Sequence, residues 1–192
     1  MTKVTKKQET RKRIIKAASE GFRSNGYAGI GVDGIAKEAG VTSGALYAHL
    51  GSKDGAFEAA LSAGLDEVIA AIPEFQLQHG KQWVEAFSDY YLGQAHRDDL
   101  PCGCAMTTLS PEVVRTKPAL HAIYEEKMLE IVALMTQGLV GKSEERFSKA
   151  WAVLGILIGG LTMARAVASI KTADRIAISI TKAAINAAGK TK

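Results

Sequence analysis

Two cysteines one residue apart are the side chains best suited to chemistry in this sequence. Cys102 and Cys104 enclose a glycine directly after Pro101. A histidine and two aspartates lie nearby: His96, Asp98 and Asp99. Such thiols can bind a soft metal ion, or a helix N-terminus can lower a thiol pKa and make it reactive. Two sulfurs are few for a metal centre, so we predict no metal. Cys102 and Cys104 stay candidates for redox or electrophile sensing, against the alternative of two small buried apolar side chains.

The sequence otherwise lacks the patterns of an enzyme. It has no Gly-rich phosphate loop and no recognisable pair of nucleophile and base. It also has no Cys-x-x-Cys motif in a strand–helix–strand context. We therefore predict a protein that is not an enzyme and needs no cofactor, with a thiol-dependent enzyme as the alternative.

The positive charge is concentrated in the first quarter of the chain. The net charge is +4 over 192 residues, yet residues 1–55 alone carry +5. Seven of the basic residues lie between Lys3 and Lys16, beside one acidic residue, Glu9. A basic segment on a near-neutral remainder is typical of a protein that binds a polyanion. The alternative is a solvated basic tail.

Residues 32–50, VDGIAKEAGVTSGALYAHL, have the pattern of a helix-turn-helix. Two short helices are joined by a turn with Gly40, and Thr42 can cap the second helix. Apolar positions that would close a small core against the first helix are Ile35, Ala39, Val41 and Leu46. An ordinary helical hairpin has a similar pattern, so the neighbouring residues must decide between the two.

Those neighbours resemble the TetR family of bacterial transcriptional regulators over about residues 9–60. A basic helix comes first, and Gly26-Tyr27 follows it. The matching positions continue through Val32, Ile35-Ala36, Ala39-Gly40-Val41, Gly44, Leu46-Tyr47 and Ser52-Lys53. The resemblance implies DNA binding through the start of the second helix of the motif and through phosphate contacts around it. The implied DNA-binding residues are Thr42, Ser43, Gly44, Ala45, Tyr47, His49 and Lys53.

This chain departs from the family pattern at three positions. Gly31 stands where a serine or threonine usually caps the second helix, so the hydroxyl is missing. His49 replaces a common aromatic residue and is a plausible hydrogen-bond donor to DNA. Leu50 replaces the following aromatic residue and is predicted to lie in the core. We expect the basic segment to compensate with sequence-independent phosphate contacts.

The elements that position these residues are all predicted to be helices. Apolar residues recur at helical spacing throughout, and no alternating strand pattern is present. The predicted helices are 9–25, 32–39, 43–49, 53–72, 81–96, 103–109, 118–137, 143–169 and 172–188. The fold class is thus all-α, with a three-helix helix-turn-helix DNA-binding domain at 1–52. A helical ligand-binding and dimerisation bundle is predicted at 53–192.

The resemblance implies a small-molecule pocket in the bundle. Aromatic and methionine side chains at helical spacing are the candidate ligand-binding residues: Phe87, Tyr91, Met106, Tyr124, Met128 and Trp151. Such residues can equally form an ordinary core. Polar candidates beside them are Gln94, Thr107, Thr108 and His121.

Small residues between positions 152 and 168 recur every three or four positions. The family resemblance implies that the last two helices pair with those of a second copy, and the stripe supports a homodimer. Close packing within one subunit is the alternative. A two-fold dimer implies a palindromic operator with half-sites about 34–36 Å apart.

The sequence thus predicts a cytoplasmic, ligand-responsive regulator, a repressor released from its operator by a small molecule. The N-terminus lacks the apolar stretch of a secretory signal. The most apolar run, 151–164, is shorter than the roughly 20 residues of a membrane span, so we predict a buried helix there. The alternatives are a regulator switched at Cys102 or Cys104 and an architectural DNA-binding protein.

Overall fold

The structure is a computed structural model that describes residues 5–192, and nearly all of this part is helical. The ten α-helices are α1 (Lys6–Gly29), α2 (Val32–Glu38), α3 (Ser43–Leu50), α4 (Lys53–His79), α5 (Trp83–Leu92), α6 (Gln94–Asp98), α7 (Ala105–Val113), α8 (Pro118–Gln137), α9 (Ser143–Ala166) and α10 (Ile170–Ala188). A 3-10 turn, Gly80–Gln82, precedes α5. Within residues 5–192 the β-type pairing consists of one isolated bridge, Leu139 with Thr191. The predicted all-α fold class is confirmed.

Helix α1 begins three residues earlier than predicted, because its N-terminus is capped. The Thr5 side chain accepts a hydrogen bond from the Gln8 backbone N–H (3.3 Å), and the Gln8 side chain accepts one from the Thr5 N–H (2.8 Å). This capping box satisfies two N–H groups that a helix end leaves free. The helical path breaks at Gly26 (φ +70°), next to the predicted end. Lys3, part of the predicted basic segment, lies outside the described residues.

Helix α4 continues through Pro73, where the sequence predicted its end. Pro73 cannot donate to the preceding turn, but it lies on the exposed side of the helix, where water can satisfy the freed carbonyl. Ile72 before it is fully buried, and Gln76 after it donates to the Leu134 carbonyl at 2.9 Å. Contacts on both sides therefore keep the helix continuous past the proline.

Three further boundaries differ from prediction for local reasons. The helix predicted over 81–96 is split at Gly93, whose backbone is extended (φ −61°, ψ 154°). Helix α7 continues past Pro111 because both Leu109 and Val113 are buried. Helix α9 ends at Ala166, and α10 begins two residues earlier than predicted, where the Ser169 side chain caps it.

One hydrophobic core runs from the N-terminal helices into the bundle. Helix α1 packs on α4 and α7, α4 packs on α8, and α9 packs on α10. At the far end of the bundle, the Trp83 indole N–H donates to the Gly138 carbonyl at 3.1 Å. Among the described helices, α9 is long and apolar enough to span a membrane by length and composition, with 39% of its most apolar window buried in this subunit. Its predicted burial is therefore only partial.

Candidate nucleic-acid interface and bundle interior

The helix-turn-helix closes a small core of its own. Ile35, Ala36 and Leu46 are at most 2% exposed, and they pack with buried residues of α1. The turn passes through Gly40 at φ +64°, a conformation that glycine adopts at little cost. The Val41 N–H then donates to the Ala36 carbonyl at 2.9 Å. The predicted roles of these residues in the core and the turn are confirmed.

The recognition helix α3 is capped by Thr42, and its buried residue Leu46 packs in the small core. The Thr42 hydroxyl accepts a hydrogen bond from the Ala45 N–H at 3.2 Å. Tyr47, the next residue after buried Leu46, is 52% exposed and so does not cover the small core. The Ser43 hydroxyl donates to the carboxylate of Asp33 on α2 at 2.5 Å. This bond, which sequence reasoning missed, orients Ser43 at the first turn of α3.

The other predicted contact residues surround this surface. Gly44 is exposed, Ala45 is half-buried, and His49 lines a groove of about 480 Å³ with Arg11 and Leu50. Six basic side chains in the first half of α1 are exposed: Lys6, Lys7, Arg11, Lys12, Arg13 and Lys16. Gly31 gives α2 no side-chain cap, which agrees with the missing hydroxyl noted in the sequence.

Lys53 lies at the junction between the N-terminal helices and the bundle. Its ammonium group lies 4.5 Å from the centre of the Tyr27 ring, a cation–π contact. The Tyr27 hydroxyl donates to the Asp54 carboxylate, and the Lys117 ammonium donates to the other oxygen of Asp54 at 2.7 Å. Burial, helped by the Asp54 carboxylate, raises the pKa of Tyr27 to about 12. The hydrogen bond from Lys117 is the main reason that the pKa of Asp54 is lowered.

This Tyr27–Asp54–Lys117 network joins α1, α4 and the start of α8. Sequence reasoning missed it, because Lys117 is 63 residues from Asp54 along the chain. The only hint was the position of Asp54 in the first turn of a helix, where carboxylates are favoured.

The predicted ligand-binding residues divide into core and surface. Phe87, Tyr91, Met106 and Met128 are at most 2% exposed. Tyr124 is half-buried and accepts a hydrogen bond from Ser110. Trp151 is 43% exposed, because its side of α9 faces outward in this subunit, so it does not lie in the bundle interior with the others.

A small, partly open cavity of about 70 Å³ touches Phe87 and Tyr91, and exposed Tyr90 and Cys102 also line it. The Tyr91 hydroxyl lies 2.8 Å from the Thr107 hydroxyl and donates to the Cys104 sulfur at 3.2 Å. Burial raises the pKa of Tyr91 well above its usual value.

None of the four polar candidates lines this cavity, although Thr107 contacts a residue that does, through the Tyr91 hydroxyl. Thr108 donates to the Cys104 carbonyl, while Gln94 and His121 are exposed.

The two cysteines differ in exposure, but the pKa values of both thiols are shifted in the same direction. Cys104 is buried, and burial raises its pKa even though it stands at the N-cap of α7. Cys102 is exposed, and desolvation together with the neighbouring Asp99 carboxylate raises its pKa too. The expectation that a helix N-terminus lowers a thiol pKa is therefore wrong for this loop.

One further titratable group, His96, contacts the cysteine loop. His96 accepts a hydrogen bond from the Cys104 N–H at 3.2 Å, and burial lowers the His96 pKa to about 4. No cluster of three or more His, Cys, Asp or Glu able to hold a metal occurs in residues 5–192.

The small-residue stripe of α9 has two different surroundings. At Gly160 a β-carbon would collide with Ile180 of α10, so this position packs within the subunit. At Gly155 and Gly159 a β-carbon would meet nothing within 4 Å. Large apolar side chains are exposed on the same two helices: Phe147, Trp151, Met163, Ile170 and Ile178. One side of the stripe therefore packs against α10 within the subunit, and the other side has no packing partner in the subunit.

These features define a class of fold: a helix-turn-helix that precedes an all-helical bundle. Residues 14–60 match the family of bacterial regulatory proteins called the tetR family, so the recognition of TetR in the sequence is confirmed. A comparison with curated proteins finds no match.

Solved structures of TetR-family regulators share the whole fold. A regulator from Cytophaga hutchinsonii superposes with a TM-score of 0.80 at 16% identity, over 96% of this chain and 98% of its own. One from Chloroflexus aurantiacus gives 0.74 at 21% identity, over 97% and 99%. The reduced form of NemR from Escherichia coli gives 0.75 at 18% identity, over 90% and 95%. At these identities the likeness concerns the fold.

Proposed function

We propose that this chain is a cytoplasmic repressor that binds a palindromic DNA operator as a homodimer and leaves it when a small molecule binds the bundle. The observation that carries the DNA-binding part is the arrangement of α3. Its N-terminus is capped by Thr42, its inner side is held by buried Leu46, and Tyr47 projects with 52% of its surface exposed. A tyrosine left uncovered beside a helix N-terminus and a basic α1 is suited to a phosphate backbone.

The charges around α3 support the same assignment. Six exposed Lys and Arg residues on α1 face solvent, opposed on that stretch by Glu9 alone. Their contribution is sequence-independent and falls with salt, because binding them to phosphates releases counterions. Base discrimination then depends on the first turn of α3, where the hydrogen bond to Asp33 fixes the orientation of the Ser43 side chain.

The dimer follows from the open side of α9 and α10. Gly155 and Gly159 allow another helix to approach closely, and Ile178 on α10 is 57% exposed. An apolar helical surface of this kind is stabilised when a second apolar surface covers it. A second copy of the chain supplies such a surface with two-fold symmetry, which matches a palindromic operator.

Release by a small molecule rests on the contacts between α4 and the interior. Val68 of α4 lines the 70 Å³ cavity beside Phe87 and Tyr91. That volume is about two water molecules' share of the liquid, so an effector must widen the cavity and displace its walls. Because α4 begins at the helix-turn-helix, such a displacement changes the separation of the two recognition helices.

The experiment is a selection of bound sequences from a random pool of duplex DNA. We expect enrichment of a two-fold symmetric sequence whose preference persists as salt rises while non-specific binding collapses. Lys53→Ala should reduce affinity for selected and random DNA alike, whereas loss of preference without loss of affinity would contradict its phosphate role. Failure to enrich any sequence would leave an architectural DNA-binding protein as the better description.

A switch at the cysteines has less support. Both thiols have raised pKa values, so both are protonated at neutral pH and react slowly as nucleophiles.

A further inference from the structure

A side-chain hydrogen bond joins the two helices of the helix-turn-helix at the surface that carries the predicted DNA contacts. The hydroxyl of Ser43, in the first turn of α3, lies 2.5 Å from a carboxylate oxygen of Asp33. Asp33 belongs to the first turn of α2. Asp33 is exposed and Ser43 is half-buried, so both residues keep surface that a DNA duplex can contact.

This bond limits the hydrogen bonds that Ser43 can make to DNA. An ionised carboxylate only accepts hydrogen bonds, so the Ser43 hydroxyl is the donor to Asp33. A serine has a single hydroxyl proton, and this bond uses it. The Ser43 oxygen then presents only lone pairs, and it can bind a base only as an acceptor. A serine without such a partner can rotate its hydroxyl and either donate or accept, so it discriminates less between base edges.

The major groove offers two kinds of amino group to an acceptor. Adenine presents the N6 amino group and cytosine presents the N4 amino group, whereas guanine and thymine present acceptors there without a donor. An oxygen that can only accept is attracted to the amino groups and repelled by the carbonyl oxygens of guanine and thymine. Because each base pair contains one of these amino groups, such an oxygen selects which strand carries it at the contacted position.

We propose that Asp33 is a positioning residue for sequence specificity, which holds Ser43 as an acceptor for the amino group of an adenine or a cytosine in the major groove. The inference rests on the proposed operator binding. The carboxylate also repels the phosphates of any duplex, so Asp33 lowers the affinity for DNA in general. It therefore raises the preference for the operator at the expense of overall affinity.

The first test compares Asp33→Ala with the wild type by selection from random duplexes and by fluorescence anisotropy with selected and random DNA. We expect Asp33→Ala to bind random DNA at least as tightly and to lose about two- to tenfold of its base preference at one position of each half-site, as for one hydrogen bond. Glu38→Ala is the matched control, since it removes an exposed acid from the same helix and should keep that preference. Weaker binding of Asp33→Ala to every duplex with unchanged preferred bases would overturn the proposal, because a residue that only stabilises α2 has this effect.

Base analogues test the hydrogen bond itself. At the position where Ser43→Ala changes the preference, purine replaces the adenine or 2-pyrimidinone replaces the cytosine, so that the amino group is removed. We expect the wild type to lose about two- to tenfold in affinity relative to Ser43→Ala on the same pair of duplexes. The comparison cancels the effect of the analogue on the duplex. An equal loss in the two proteins would overturn the proposal.

The double variant Asp33→Ala/Ser43→Ala separates positioning from direct contact. If Asp33 acts through Ser43, the double variant has the base preference of Ser43→Ala alone. A further change in preference would overturn the positioning role, because Asp33 would then touch a base itself. If the wild type enriches no sequence, the proposed function fails and this inference fails with it. Enrichment of an operator whose preferred bases are unaffected by Ser43→Ala would overturn this inference alone.

Discussion

Substituting Gly159 by glutamate tests the open side of α9. A β-carbon at this position meets nothing within 4 Å in the subunit, so the side chain itself is accommodated. Replacing a helix-interior glycine by a better helix former contributes about 0.5–1 kcal/mol to the stability of the subunit. In a two-fold dimer, however, two unpaired carboxylates would be buried at one surface. We expect a cost of about 3 kcal/mol or more to association, roughly a hundredfold increase in the dimer dissociation constant.

The assay is sedimentation velocity over a concentration series, with thermal unfolding measured on the same samples. Gly160→Ala is the matched control, because its β-carbon collides with Ile180 inside the subunit. It should lower the stability of the subunit, at an overpacking cost of about 1–3 kcal/mol before the gain in helix propensity. A Gly159→Glu protein with the dimer dissociation constant of the wild type would refute the assignment of this surface to the dimer.

Other predictions concern DNA affinity, pH and thiol reactivity. Tyr47→Phe should weaken binding to all duplexes by a similar factor, about 0.5–1.5 kcal/mol for one hydrogen bond, whereas Ser43→Ala should change the preferred bases; fluorescence anisotropy with selected and random duplexes measures both. Because the His96 pKa is about 4 when folded and near 6.5 when unfolded, its contribution to stability is lost as pH falls from about 6.5 to 4. Allowing for the partial exposure of His96, we expect the free energy of unfolding to fall by about 1–2 kcal/mol over this pH range. This fall should be absent in His96→Gln, and denaturant unfolding measures both proteins. Mass spectrometry after mild alkylation at pH 7 should find Cys102 slowly modified and Cys104 unmodified until the protein is unfolded; native modification of Cys104 would contradict its burial.

The N-terminal region was predictable because local rules agree there. Thr42, Gly40 and Leu46 each have a role that spacing alone suggests: a cap, a turn and a core contact. The apolar positions and the turn glycine all point to the same small fold, and consistency of this kind makes a sequence pattern specific. The resemblance to a family then depended on residues whose neighbours are close in the chain.

The bundle was less predictable because distant contacts override local signals. Pro73 normally marks a helix end, yet buried Ile72 and the bond from Gln76 to α8 keep α4 continuous. Trp151 was assigned to the interior since aromatic residues are usually buried, whereas its side of α9 is open. The bond from Arg97 of α6 to Asp174 of α10 could not be predicted, because 77 residues separate the two in the chain.

Because α4 is one continuous helix, a small tilt of the helix produces a large displacement at its end. Its 27 residues, at 1.5 Å per residue, give a rod about 40 Å long. Near one end Gln76 is bonded to α8, which serves as the pivot, and the other end, next to the helix-turn-helix, holds Asp54 between Tyr27 and Lys117. A tilt of about 5° about the Gln76 end moves the Asp54 end by roughly 3–4 Å, and in the proposed two-fold dimer the distance between the recognition helices would change by up to twice that amount. The half-sites are about 34–36 Å apart, and a change of that size in the separation of the recognition helices is a substantial fraction of the width of a DNA groove.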